Sequence, residues 1–243
     1  NTTVEQGYRV NTDGTRNVLA AIKATPSIRR AIITSSQFVC GPGYAPKHDE
    51  DFHPVTVYGQ SKVIAEQLTR AAALPCAWTI VRPTNIWGPW HERYRREFWR
   101  VVAKGWYVHP GGAPVVRCYG YAGNVVRQMR QLLDQPAEFV NEQVFYLGDP
   151  PGDIARWANA FSLALRGRRV RKVPRPILAA AGLIGDAIAR VTGKPFYITT
   201  SRYRSMTSDY VVNMDKTFLL LGPPPISLDE GVAQTVEWLR QNP

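Results

Sequence analysis

Along residues 4–24, Val10, Val18, Leu19 and Ile22 recur among polar positions until Pro26 ends the pattern, which predicts a helix. Arg30 to Ser36 is a short apolar run, Ala31-Ile32-Ile33, that passes into Thr34, Ser35 and Ser36; this predicts a buried strand. A loop rich in Gly, Pro and acidic residues follows from Gly41 to Pro54. Val57 to Ala73 reads as a second helix, and Cys76 to Val81 as a second strand, broken by Arg82-Pro83. Helix, strand, helix and strand at this spacing imply right-handed crossovers and a parallel sheet covered by helices. The chemistry of such sheets sits at the carboxyl ends of the strands. Two such ends, Ser35-Ser36 and Pro83-Thr84-Asn85, should face one crevice.

Beyond Gly88 the pattern changes. Helices are predicted over Arg93 to Lys104, Asn124 to Leu133 and Ile154 to Leu165, with short strands over Val115 to Tyr119 and Val144 to Leu147. Ile177 to Val191 is apolar on several faces, interrupted by Asp186 and Arg190. It reads first as a cap on a substrate pocket. A peripheral membrane helix is the alternative, because its flanking basic residues suit anionic lipid. Leu228 to Leu239 is an amphipathic helix whose Ser227 and Glu230 form a capping box.

Composition narrows the class. Of 243 residues, 44% are hydrophobic and 20% charged, which is globular and excludes a wholly disordered chain. No apolar run approaches the roughly 20 residues that a spanning helix requires. Cys40, Cys76 and Cys118 are too few and too scattered for a disulfide framework or a zinc site, and fit a reducing cytoplasm. The net charge of +11 admits nucleic acid, a membrane surface or a phosphorylated small molecule as partner. Neither zinc-finger spacing nor the aromatic signature of an RNA-binding sheet supports nucleic acid.

The candidate chemistry lies near residue 60. Tyr58-Gly59-Gln60-Ser61-Lys62 sets a phenol and an ammonium four residues apart on one helical face. A neighbouring cation favours phenolate, which brings a group of ordinary pKa about 10 toward use as an acid or base near neutrality. Ser36, at a strand end on the same crevice, supplies a hydroxyl that can bond a substrate oxygen. The four histidines, His48, His53, His91 and His109, show no metal-ligand spacing, and no metal site is expected. His48 and His53 read as part of a solvated acidic loop. Trp87, Trp90 and His91 either line the pocket or pack beneath it.

An ordered series of motifs resembles the extended short-chain dehydrogenases/reductases, the NAD-dependent epimerase/dehydratase group. Asn11 to Leu19 is similar to the family's N-x-x-G-T-x-N-V-L helix, and Thr34 to Gly41 to its T-S-S-x-x-V-Y-G strand end, with Cys40 in place of Tyr. Tyr58 to Lys62 matches Y-x-x-x-K, and Arg82 to Pro89 resembles R-P-x-N-V-Y-G-P. Arg117 to Val125 resembles R-D-F-V-Y-V-D-D-V without the acids of its second half, and Leu221 to Leu239 fits the closing motif.

The resemblance implies a Rossmann-type, doubly wound parallel α/β sheet over residues 1–90. Residues 91–243 would be mainly a smaller α/β substrate-binding region, with some segments returning to the core. It implies Tyr58 as acid/base, Lys62 as the residue that holds the nicotinamide ribose, and Ser36 as the orienter of the substrate oxygen. Asn11, Ser35, Tyr58, Lys62 and Pro83 would contact NAD or NADP. Ser36, Asn85 and Arg117 would contact substrate, with Arg117 facing a phosphate. The family's glycine-rich pyrophosphate turn does not occur in these residues and is expected upstream of Asn1. The family also implies a cytoplasmic homodimer through helices 4–24 and 57–73.

The activity so implied is epimerisation or ketoreduction of a nucleotide-activated sugar by Tyr-assisted hydride transfer. Two alternatives stay open. One is a reductase or dehydrogenase of a hydrophobic alcohol or ketone, similar to the 3β-hydroxysteroid dehydrogenases. The other is a non-catalytic binding member of the same fold. A 4,6-dehydratase is disfavoured, because Gln37-Phe38 stands where that subgroup has Asp-Glu.

Overall fold

The computed structural model describes residues 3–194 and 196–242, and the chain divides into two units. The first comprises residues 1–86, 118–150 and 212–225; the second comprises 87–117, 151–211 and 226–243.

The first unit is built on three parallel strands, β1 (Arg30–Thr34), β2 (Ala77–Pro83) and β3 (Gln143–Leu147), with β2 in the middle. Ile33 pairs with Ile80, and Ile80 with Val144. Side chains of a strand alternate between faces, so β2 feeds two cores. Val81 packs with Val125, Leu132, Phe145 and Leu147 on one face, while Trp78 and Ile80 pack with Val144 on the other. This two-sided burial explains why neighbouring positions of β2 that point to opposite faces, Ile80 and Val81, are both apolar. The mixed α/β class with a parallel sheet is as expected from the sequence.

Helix α1 (Arg9–Lys23) packs on α2 (Val57–Ala71), and α3 (Ala122–Asp134) covers Val81 through Val125 and Leu132. The single helix expected over 4–24 is two. A short Thr3-capped turn, Val4–Gly7, precedes α1, and Tyr8 leaves the helical region at φ −134°. The strand expected to stop at Val81 continues through Arg82 and Pro83. Proline is tolerated there because it is the last residue of the strand, and the next N–H, that of Thr84, donates to the Leu147 carbonyl at 2.9 Å.

The second unit has an aromatic core in which Trp87 packs edge-on against Trp157 and Phe161, with Phe98 stacked on Trp157. Helix α4 (Ile154–Arg166) is capped by Asp153 and closed by Gly167 at φ 68°, a left-handed conformation that glycine adopts without steric cost. Helix α5 (Arg175–Thr192) follows, and α6 (Leu228–Gln241) packs on α4 and carries the expected Ser227–Glu230 capping box. The helix expected over 93–104 is interrupted by a π-helical turn, Arg95–Trp99. The strand expected over 115–119 is two, Val116–Arg117 and Tyr119–Tyr121, with Cys118 between them at the point where the chain passes from one unit to the other.

Candidate active site

Beyond β1 the chain leaves the strand, and the Ser36 hydroxyl accepts from Phe38 N at 3.3 Å, capping a short turn, Gln37–Val39. Helix α2 begins beside this turn, with Thr56 accepting from Gly59 N at 3.0 Å. Gly59 permits the approach. A Cβ there would lie 2.1 Å from the Phe38 carbonyl oxygen, so any larger residue would drive the helix and the turn apart.

The close approach brings three sequence-predicted residues to the carboxyl end of β1. The Tyr58 ring sits between Tyr8 and Phe38, at centroid distances of 5.7 and 6.0 Å. Lys62 Nζ lies 5.9 Å from the Tyr58 ring centroid and donates to the Thr34 carbonyl at 3.0 Å, which ties it to the end of β1. Burial lowers the Lys62 pKa, and the nearby Glu66 carboxylate works in the opposite direction. Asn11 is joined to the same helix: its amide donates to Ser61 Oγ at 3.0 Å, and Ser61 donates to the Tyr58 carbonyl at 2.7 Å. The Tyr58 hydroxyl has no hydrogen-bond partner among the described residues, so its proton and lone pairs are available to a ligand.

Beneath these residues lies a buried ion pair that sequence reasoning missed. Arg82 donates from Nε to Glu66 Oε1 at 2.9 Å and from Nη2 to Oε2 at 2.8 Å, with both side chains almost fully buried. Arg82 also donates to Tyr146 Oη at 3.1 Å and to the Asp49 carbonyl, and its guanidinium stacks on Phe52 and Tyr146. Burial opposes the Arg82 charge, but the bonds and attraction of Glu66 outweigh it and raise the pKa. Ser35 is the third member. Its hydroxyl donates to Glu66 at 2.5 Å and its N–H to the Val81 carbonyl at 2.7 Å, so both of its donors point into the protein. The available signals were Arg82 interrupting an apolar strand and Glu66 one turn beyond Lys62.

The other predicted residues are placed as follows. Pro83 ends β2 opposite Leu147. Asn85 is half-buried and starts the strand Asn85–Trp87, which pairs with Tyr119–Tyr121. Arg117, in the second unit, donates to the Ser205 carbonyl at 2.7 Å, and its guanidinium lies over the Tyr210 ring. Trp87 is a core residue, Trp90 is exposed, and His91 caps the turn Glu92–Tyr94. His48 is exposed, and the His53 ring stacks on Tyr44. His109 is buried, with Tyr107 Oη 3.0 Å from its Nδ1. Among the described residues, no group of His, Cys, Asp or Glu is arranged to hold a metal ion, and no helix is long and apolar enough to cross a membrane.

The model of the NAD dependent epimerase/dehydratase family matches residues 1–148. Among curated relatives, the chain is 26% identical over 241 residues to the N-acetyl-α-D-glucosaminyl-diphospho-ditrans,octacis-undecaprenol 4-epimerase of Escherichia coli O157:H7, covering 95% of this chain and 71% of that protein. It is also 26% identical over 250 residues to the decarboxylating sterol-4-α-carboxylate 3-dehydrogenase of Saccharomyces cerevisiae, with the same coverage. Among solved structures, the UDP-glucuronic acid 4-epimerase of Bacillus cereus, in complex with UDP-glucuronic acid and NAD, has a TM-score of 0.71 at 17% identity. That likeness covers 98% of this chain and 70% of that one. The UDP-glucose 4-epimerase of Thermotoga maritima has a TM-score of 0.68 at 20% identity, covering 96% and 70%. Both structures share the fold.

Proposed function

This chain belongs to the NAD dependent epimerase/dehydratase family, and from that premise we propose that Ser36, Tyr58 and Lys62 carry out NAD-dependent epimerisation or ketoreduction of a nucleotide-activated sugar. The observation that carries the reading is the Tyr58 hydroxyl, without a protein partner, beside a lysine anchored to the end of a parallel strand.

The residues fit the nicotinamide end of NAD. Lys62 directs one N–H to Thr34 and has two more for ribose hydroxyls, and Pro83 ends the neighbouring strand. When bound, NAD supplies a hydride acceptor at its nicotinamide ring. Tyr58 takes the proton from the sugar hydroxyl as the carbon is oxidised and returns it when the ketone is reduced. Ser36 orients the reacting oxygen, and the Lys62 ammonium stabilises the phenolate that forms. Asn11, through Ser61, holds the backbone of Tyr58. Asn85 and Arg117 are assigned to the nucleotide. Ser35 serves as a strut, because its donors are engaged within the protein. The three cysteines are free and Val10 and Val18 are exposed on α1, which supports a cytoplasmic homodimer as part of the same reading.

The test is to incubate the full-length protein with NAD and a panel of UDP-sugars and to separate the products chromatographically. Wild type should interconvert at least one pair of 4-epimers or reduce a 4-keto sugar. Tyr58→Phe should lower turnover by about 10²–10⁴-fold with unfolding unchanged. Wild-type turnover in Tyr58→Phe would remove Tyr58 from the chemistry. A second reading, oxidation of an apolar alcohol, is favoured by the engagement of the Arg117 guanidinium with the Ser205 carbonyl and the Tyr210 ring. Turnover of a sterol substrate, with none of any UDP-sugar, would select it.

A further inference from the structure

Helix α5 is 18 residues long and packs inward through Leu178, Gly182 and Gly185. The glycines bring its backbone against the segment that follows: a Cβ at Gly185 would lie 1.8 Å from the Ile198 carbonyl oxygen. Asp186 also turns toward that segment and accepts from Thr200 N at about 3.3 Å. The outward face is the opposite of what a surface helix normally shows. At 100° per residue, Ile177, Ile184, Ile188 and Val191 form one stripe with Ala180 and Ala187, and Leu183 lies beside it. Ile177, Ile184 and Leu183 are 59%, 60% and 66% exposed, Val191 is 88% exposed and Ile188 37%. The one charged residue at the margin of this face is Arg190, which is basic.

The charge around the stripe has a single sign. Arg168, Arg169, Arg171 and Lys172 precede the helix, Arg190 and Lys194 stand at its far end, and all six are exposed. From residue 154 to 208 the sequence has eleven Arg and Lys against one acid, Asp186, so this segment carries +10 of the chain's +11. An apolar strip that cannot satisfy water, bracketed at both ends by cations, is complementary to a surface that is apolar inside and anionic at its rim. A second copy of the chain would fit poorly, because the same cations would meet across the interface.

We propose that α5 lies flat on an anionic phospholipid bilayer, with Ile177, Leu183, Ile184, Ile188 and Val191 in the acyl boundary and the flanking arginines and lysines among the headgroups. A helix lying in the interface in this way makes a peripheral, reversible attachment.

Flotation of the full-length protein with vesicles of equal parts phosphatidylglycerol and phosphatidylcholine, against vesicles of phosphatidylcholine alone, tests this. The protein should float with the anionic vesicles and not with the neutral ones, and salt should release it. The double variant Ile177→Glu, Ile184→Glu should bind about tenfold less or weaker still, with an unchanged circular dichroism spectrum, since both side chains are mostly exposed. A second variant, Arg168→Glu with Arg169→Glu, should lose the preference for anionic vesicles. Failure of wild type to float, equal flotation with neutral vesicles, or undiminished binding of the isoleucine variant would overturn the proposal. So would sedimentation showing that the stripe joins two copies while vesicles capture nothing.

Discussion

Replacing Glu66 by Gln leaves the shape of the side chain and removes the charge beneath Arg82. In the native protein Arg82 and Glu66 are 1% and 0% exposed and share two charge-assisted hydrogen bonds. In the variant one carboxylate oxygen becomes an amide, a donor set against the guanidinium N–H groups or the Ser35 hydroxyl. The guanidinium then stays buried with only neutral acceptors, the remaining amide oxygen, Tyr146 Oη and the Asp49 carbonyl. Removing one partner of a buried pair costs about 3–5 kcal/mol. With a urea slope of about 2–3 kcal/mol per molar, the unfolding midpoint should fall by about 1–2.5 M. Urea is the denaturant to use, because guanidinium would screen the interaction under study. The double variant Glu66→Leu, Arg82→Met removes both charges together and should recover more than half of the loss, since the desolvation of both ions disappears with them. A Glu66→Gln unfolding free energy within about 1 kcal/mol of wild type, or a double variant no more stable than the single, would refute the assignment. The network also bears on activity. Ser35 adjoins Ser36, and Arg82 adjoins Pro83, so loosening it displaces two strand ends of the site.

Gly59→Ala should be destabilising by about 1–3 kcal/mol and should lower kcat by about 10–100-fold, because its Cβ would collide with the Phe38 carbonyl and separate Tyr58 from Ser36. Equal kcat and an equal urea midpoint would show that the approach of α2 to the turn is not needed. Burial lowers the His109 pKa below its ordinary 6.5, so the folded state binds this proton less readily than the unfolded one. Its contribution is present in full above about pH 6.5 and is lost as pH falls through the lowered folded value. Urea midpoints at pH 8 and pH 5 should therefore differ less in His109→Gln than in wild type, and an identical difference would exclude His109 as a source of acid sensitivity.

The elements that carry the chemistry were legible in the sequence because their signals are local. The four-residue spacing of Tyr58 and Lys62 fixes a shared helix face, and polar residues closing an apolar run mark the end of β1. The Ser227–Glu230 capping box likewise lies within one turn. The second unit is less legible in the sequence. Its short strands and the π-helical turn Arg95–Trp99 are set by packing of large aromatic side chains, which periodicity does not encode. Three features were decided by tertiary structure alone. Glu66 and Arg82 are 16 residues apart on a helix and a strand, and become an ion pair only because burial leaves each no other counterion. Ser35 and Ser36 are neighbours with the same side chain, yet Ser35 bonds inward to Glu66 while Ser36 caps the next turn. The apolar composition of α5 was plain in the sequence, but which of its faces would remain uncovered was settled by Gly182 and Gly185 seating the helix on its backbone side. A sequence specifies which side chains seek burial, and only the folded chain determines which of them find a partner.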